Sequence, residues 1–90
     1  MDTIKATPIE QKLEITSNPY VVFTPFGYHP FVNVKNLDTE KEGKIIISPI
    51  SLARKLREFF EENNNAFVGI KISYKKKSSD PKSAYVIEKI

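Results

Sequence analysis

Between positions 71 and 82 the chain carries five lysines, Lys71, Lys75, Lys76, Lys77 and Lys82, against one acid, Asp80. Further upstream, Phe26, Tyr28 and Phe31 stand close to Asn33 and Lys35. Cations that follow a phosphate backbone and flat rings that accept unstacked bases are the two things a single nucleic-acid strand needs from a protein. These ten residues are therefore the candidate binding set. Other chemistries lack their residues. There is no cysteine and only one histidine, His29, which excludes thiolate metal sites, a Cys nucleophile and a His-based zinc cluster. His29 alone reads as polar surface. Asp38, Glu40 and Glu42 fall on one charged connection and read as solvated. Three glycines leave no Gly-rich phosphate loop, and no Ser–His–acid context exists, so no enzyme activity, cofactor or small-molecule substrate is expected.

Charge is distributed unevenly. Residues 1–45 hold five Lys and six acids, whereas residues 46–90 hold nine Lys/Arg and five acids. The total of +3 is small, so local concentration matters more than the sum. A lysine run at a hairpin tip also serves against aggregation, and only its place in the fold decides between the two roles. Arg54, Lys55 and Arg57 alternate with Glu58, Glu61 and Glu62 and read as a solvated helix face.

Ninety residues with 40% apolar side chains, including six Phe and four Tyr, suffice for one core. The first eight residues read as a loose lead-in, and residues 9–90 as a single domain. No apolar run is long enough to cross a membrane and no leader pattern opens the chain, so an intracellular protein is expected, in the cytoplasm or, if viral, the host cytoplasm. IEQKLEIT (9–16) alternates with period two, and PYVVF (19–23) is β-branched and aromatic. TPFGYHP, with two prolines and a glycine, reads as a turn. FVNVKN (31–36) puts Val32 and Val34 on one face and Phe31, Asn33 and Lys35 on the other. GKIIIS (43–48) pairs with it across LDTEKEG.

One helix is predicted. Ser48 suits its cap, Pro49 its first position, and Leu52, Ala53, Leu56, Phe59 and Phe60 recur at three and four. Asn63–Asn65 end it. AFVGIKISY (66–74) puts Val68, Ile70, Ile72 and Tyr74 on a core face, and SAYVIEKI (83–90) closes the chain with Tyr85 open to either face. The order is β-β-β-α-β-β, with the first strand open to a break between IEQKLEIT and PYVVF. Closing five strands into a barrel removes exposed edges, with the helix between the third and fourth strands plugging one end. An all-β, five-stranded OB-fold barrel is the expected architecture.

The succession FGYHPFVNVKNLDTEKEGKIIIS, PISLARKLREFFEEN, FVGIKISYKKK and SAYVIEKI resembles small archaeal and viral OB-fold domains related to single-stranded DNA-binding proteins. The resemblance spans roughly residues 13–90, and its motifs encode barrel geometry more than chemistry. It implies strand binding on the second and third strands, framed by the loops between strands 1–2 and 4–5. Phe26, Tyr28, Phe31, Asn33, Lys35, Lys71, Lys75, Lys76, Lys77 and Lys82 fall there. The implied partner is single-stranded DNA, or RNA, without sequence preference, in DNA replication or a related process, with self-association raising avidity. The alternative is an OB interaction or oligomerisation module of a replication or viral assembly, without nucleic-acid binding, in which Phe31 and Ile46 form a contact patch.

Overall fold

A computed structural model describes residues 2–48, 50–80 and 82–90. Six antiparallel strands and one helix follow in the order β1 (Gln11–Ile15), β2 (Tyr20–Thr24), β3 (Gly27–Asn36), β4 (Glu42–Ile46), α1 (Ile50–Glu62), β5 (Lys71–Lys76) and β6 (Tyr85–Lys89). The strands form one sheet in the order β2-β3-β1-β5-β6, with β4 on the other edge of β3.

Three expectations about individual elements are corrected. First, there are six strands instead of five, and the helix follows β4. The first expected strand is two: β1 pairs with Val34–Asn36 of β3 and β2 with Gly27–Phe31, along the same edge. The chain breaks between them because the Ser17 hydroxyl accepts the Asn33 N–H at 3.0 Å, replacing a backbone carbonyl, and Pro19 follows. Second, TPFGYHP is mostly strand. Only Pro25 and Phe26 turn, with Gly27 at φ +106° in a conformation that favours glycine. The Thr24 hydroxyl accepts the Phe26 N–H and donates to the Gly27 carbonyl, which tightens this two-residue turn. Third, β5 begins at Lys71 and not at Ala66. Gly69 at φ +96° turns the chain there, so Val68 is exposed and not in the core.

The barrel is also not closed: among the described residues no ladder joins β4 to β6. Residues 2–7 run there instead. Thr3 bridges Lys44 in parallel, the Ile4 N–H donates to the Lys44 carbonyl at 2.7 Å, and the Lys76 N–H donates to the Thr7 carbonyl at 2.9 Å. Ala6 is buried in the core and Ile4 packs against it. Gly43 is needed at this contact, because a Cβ would come within 2.7 Å of the Ile4 side chain.

Alternation explains the core. Leu13, Ile15, Val32, Val34, Ile45 and Ile72 are fully buried on one face of the sheet. Leu52, Leu56 and Phe59, at helical spacing, lay one stripe of α1 on them, while Ala53 is exposed and Phe60 only half-buried. Asn64 and Asn65 take left-handed conformations and end the helix. Ser48 lies 3.4 Å, hydroxyl to Nδ1, from His29; Pro49, expected at the first helical position, lies outside the described residues. No helix among the described residues is long and apolar enough to cross a membrane.

Tyr74 is the largest side chain in the fully buried set, stacked on Tyr85 with ring centroids 6.2 Å apart. Burial, and secondarily Tyr85, pushes its hydroxyl well above the usual tyrosine range. The folded state therefore holds this proton more tightly than the unfolded one. Its stabilisation is complete below about pH 10 and falls as pH rises beyond that. In urea titrations between pH 8 and 11.5, Tyr74→Phe is expected to be close to wild type at pH 8 and to lose less stability than wild type above pH 10.

Candidate nucleic-acid interface

The candidate residues separate into three places. Phe31, Asn33, Lys35 and Lys71 lie on the face of the sheet opposite the core, as their parity with Val32 and Val34 requires. Phe31 is nevertheless only 5% exposed. Tyr20 stands directly across from it on β2 and Ile46 on β4, and the Lys44 ammonium lies 5.0 Å from its ring centroid. Large neighbours on both sides cover the ring, so neither an open base platform nor the expected Phe31–Ile46 contact patch is available. Asn33 is held at the strand break: the Tyr20 hydroxyl donates to its Oδ1, its N–H donates to Ser17 and its carbonyl accepts from Thr16.

Register also alters the meaning of Lys35 and Lys71. Lys35 stands opposite Glu42 on one side and Glu14 on the other, and Glu14 stands opposite Lys71. The row Glu42–Lys35–Glu14–Lys71 crosses four strands with alternating sign and sums to zero. None of these four is within ion-pair distance of another among the described residues. Opposite charges at facing positions nevertheless support the sheet, and a phosphate brought to either lysine meets carboxylates on the neighbouring strands.

The second place is the β5–β6 tip. Its turn is ordered by its own polar groups. The Ser78 N–H donates to the Ser83 hydroxyl at 2.8 Å, the Lys82 N–H to Asp80 Oδ1 at 2.9 Å, and the Ser83 N–H to the Asp80 carbonyl at 2.9 Å. Lys75, Lys76, Lys77 and Lys82 rise from this frame, and none is within ion-pair distance of a carboxylate among the described residues. Lys75 takes the outer face and Lys76 the other, where its ammonium lies 5.3 Å from the half-buried Tyr85 ring. The Thr7–Lys76 bond brings the N-terminal segment, with Lys5, to the same end, and Lys12 faces Ser73 across β1 and β5. Neither Lys5 nor Lys12 stands out in the sequence, since only the Thr7–Lys76 bond and the pairing of β1 with β5 bring them there.

The third place is the β2–β3 hairpin. Phe26 at its turn is 90% exposed and Tyr28 is 74% exposed. Phe23, directly opposite Tyr28 with ring centroids 5.0 Å apart, is 70% exposed, and Val21 beside Pro30 is 65% exposed. Val21, Phe23, Tyr28 and Pro30 share one face. Phe23 and Val21 were hidden in what reads simply as a strand. A usable signal does exist in the sequence: residues 15–34 contain no Asp, Glu, Lys or Arg, in a chain where such residues make up 28%.

The lysine tip and the aromatic hairpin do not meet. Because β5 runs antiparallel to β1, it leaves the sheet beyond the N-terminal end of β1, whereas the Pro25–Phe26 turn follows the C-terminal end of β2. They occupy opposite ends of the β1–β2 line.

No family model, curated protein or solved structure matches this chain.

Proposed function

We propose that this chain is a single-stranded nucleic-acid-binding domain on an open OB-type barrel, and that it holds phosphates at the β5–β6 end. What supports the barrel reading is that β1 and β2 run along the same edge of β3 and can be counted as one bent strand. On that count the helix falls between a third and a fourth strand, and the β5–β6 tip corresponds to the loop that flanks the ligand in such folds. The observation that carries the reading is the tip itself. Four lysines without carboxylate partners among the described residues stand on a turn ordered by internal hydrogen bonds, beside the partly exposed Tyr85. An ordered tip loses little conformational freedom on binding, and a strand held there releases counterions from its phosphates.

Fluorescence anisotropy of labelled oligo-dT in a salt series tests this. Each phosphate neutralised contributes roughly 0.7 to the slope of log K against log salt for single strands. Four contacts predict a slope of roughly −3. A slope near zero, or no binding at low salt, contradicts the proposal. The charge-free hairpin favours a second property of the same chain, contact with protein.

A further inference from the structure

The β2 strand is an unguarded edge. It pairs with β3 alone, and no backbone hydrogen bond involving Val21 or Phe23 exists outside that ladder among the described residues. Which groups face outward follows from Pro30. Its carbonyl accepts from the Ile47 N–H at 3.0 Å, on the β4 side, so Pro30 and its opposite residue Val21 form a non-hydrogen-bonded pair. Alternation then turns the N–H and C=O groups of Val21 and Phe23 away from β3, toward solvent. Edge strands are ordinarily protected by charges, prolines or bulges. YVVFT has no charged residue and no proline, and its side chains at 21 and 23 are largely exposed.

We propose that this edge pairs antiparallel with β2 of a second copy of the chain, about a twofold axis at Val22. The pairing is self-complementary. In that register Val21 of one copy faces Phe23 of the other, and each residue of these two pairs offers both its outward N–H and its outward C=O, which satisfies the free backbone groups of both edges. On one face the pairing continues the apolar row: Pro30 and Val21 of one copy run into Phe23 and Tyr28 of the other, and the reverse. A second copy fits better than a charged partner would. Each copy carries +3, and the charge-free stretch 15–34 is a place where two such molecules approach without setting ammonium against ammonium. The joined sheet leaves the two lysine tips at its far ends. A dimer thus offers two cationic ends to one strand, which raises avidity without any new contact. The inference is independent of the nucleic-acid reading: it stands or falls on self-association measured without nucleic acid.

Sedimentation velocity from about 1 to about 200 μM, without nucleic acid, is the test. The wild-type chain of 10.3 kDa is expected to move to a dimer across this range. Val21→Lys/Phe23→Lys and Val21→Glu/Phe23→Glu are each expected to weaken self-association at least tenfold. Mixed in equal amounts they are expected to form a one-to-one heterodimer, since the register sets each introduced ammonium opposite an introduced carboxylate. Hydrogen exchange on the unaltered protein gives a second readout: the Val21 and Phe23 amides are expected to slow as concentration rises. A monomer throughout the range overturns the proposal. So does a dimer that survives both charge variants, a mixture that stays monomeric, or concentration-dependent protection at amides other than these two.

Discussion

Replacing Lys75, Lys76, Lys77 and Lys82 together with serine is expected to flatten the salt dependence of oligo-dT binding. Four lysines on phosphates imply that wild-type affinity falls roughly fifty-fold between 50 and 200 mM salt, from a slope of about 0.7 per contact. The variant is expected to lose most of that slope, together with at least ten-fold in affinity at 50 mM. Its fold is expected to be unaffected, because the turn is held by Ser78, Asp80 and Ser83 and by backbone groups, not by the ammonium groups. The informative comparison is Lys35→Ser/Lys71→Ser. Those lysines alternate with Glu14 and Glu42 on the sheet face, away from the tip, so with no phosphate seated on them their removal acts only through a long-range field that salt screens. That pair is expected to change affinity by less than about three-fold, although it also removes positive charge. Equal losses from the two sets would mean that total charge, and not the tip, governs binding.

Phe31→Ala is expected to act on stability and not on binding. The ring is nearly inaccessible, flanked by Tyr20 and Ile46 and covered by the Lys44 ammonium. Truncating a buried phenylalanine costs about 3–5 kcal/mol, a large part of the 5–15 kcal/mol typical of a domain. The lower end is expected here, because Phe31 lies outside the main core cluster. Urea unfolding gives the stability change. Anisotropy at a temperature where the variant is folded gives the affinity, expected within two-fold of wild type. A base platform would show the opposite pattern, with stability little changed and affinity falling by the roughly 1–3 kcal/mol that a stacked base is worth.

Much of the fold is legible from side-chain periodicity. Period-two alternation assigns Val32, Val34 and Ile72 to the core, and helical spacing assigns Leu52, Leu56 and Phe59. Neither rule tells what stands opposite a residue on the next strand, and that is where the expected site dissolves. Parity correctly gives the outer face for Phe31 and Lys35, but Tyr20, Ile46, Glu14 and Glu42 become their neighbours only through register. Punctuation misleads in TPFGYHP. A two-residue turn absorbs Pro25 alone, and Pro30 fits because the ladder to β4 begins one residue later at Phe31. AFVGI misleads in the other direction. Its β-branched and aromatic residues suit a strand, but Gly69 takes a positive φ and the chain turns before Lys71. The lysine tip was the most legible feature, since a hairpin turn between two strands needs only local sequence.

The molecule has two chemically different ends, an uncharged aromatic hairpin and a lysine tip; self-pairing is proposed for the first and phosphate binding for the second. Amide chemical-shift mapping of the isotopically labelled protein titrated with oligo-dT tests this division directly, with the dimer formed beforehand by working at high concentration. The largest shifts are expected at residues 75–80 and 82–86, with smaller ones along 5–7, and residues 21–28 are expected to stay close to their starting positions. Shifts centred on Phe23, Phe26 and Tyr28, with the lysine tip unmoved, would contradict it.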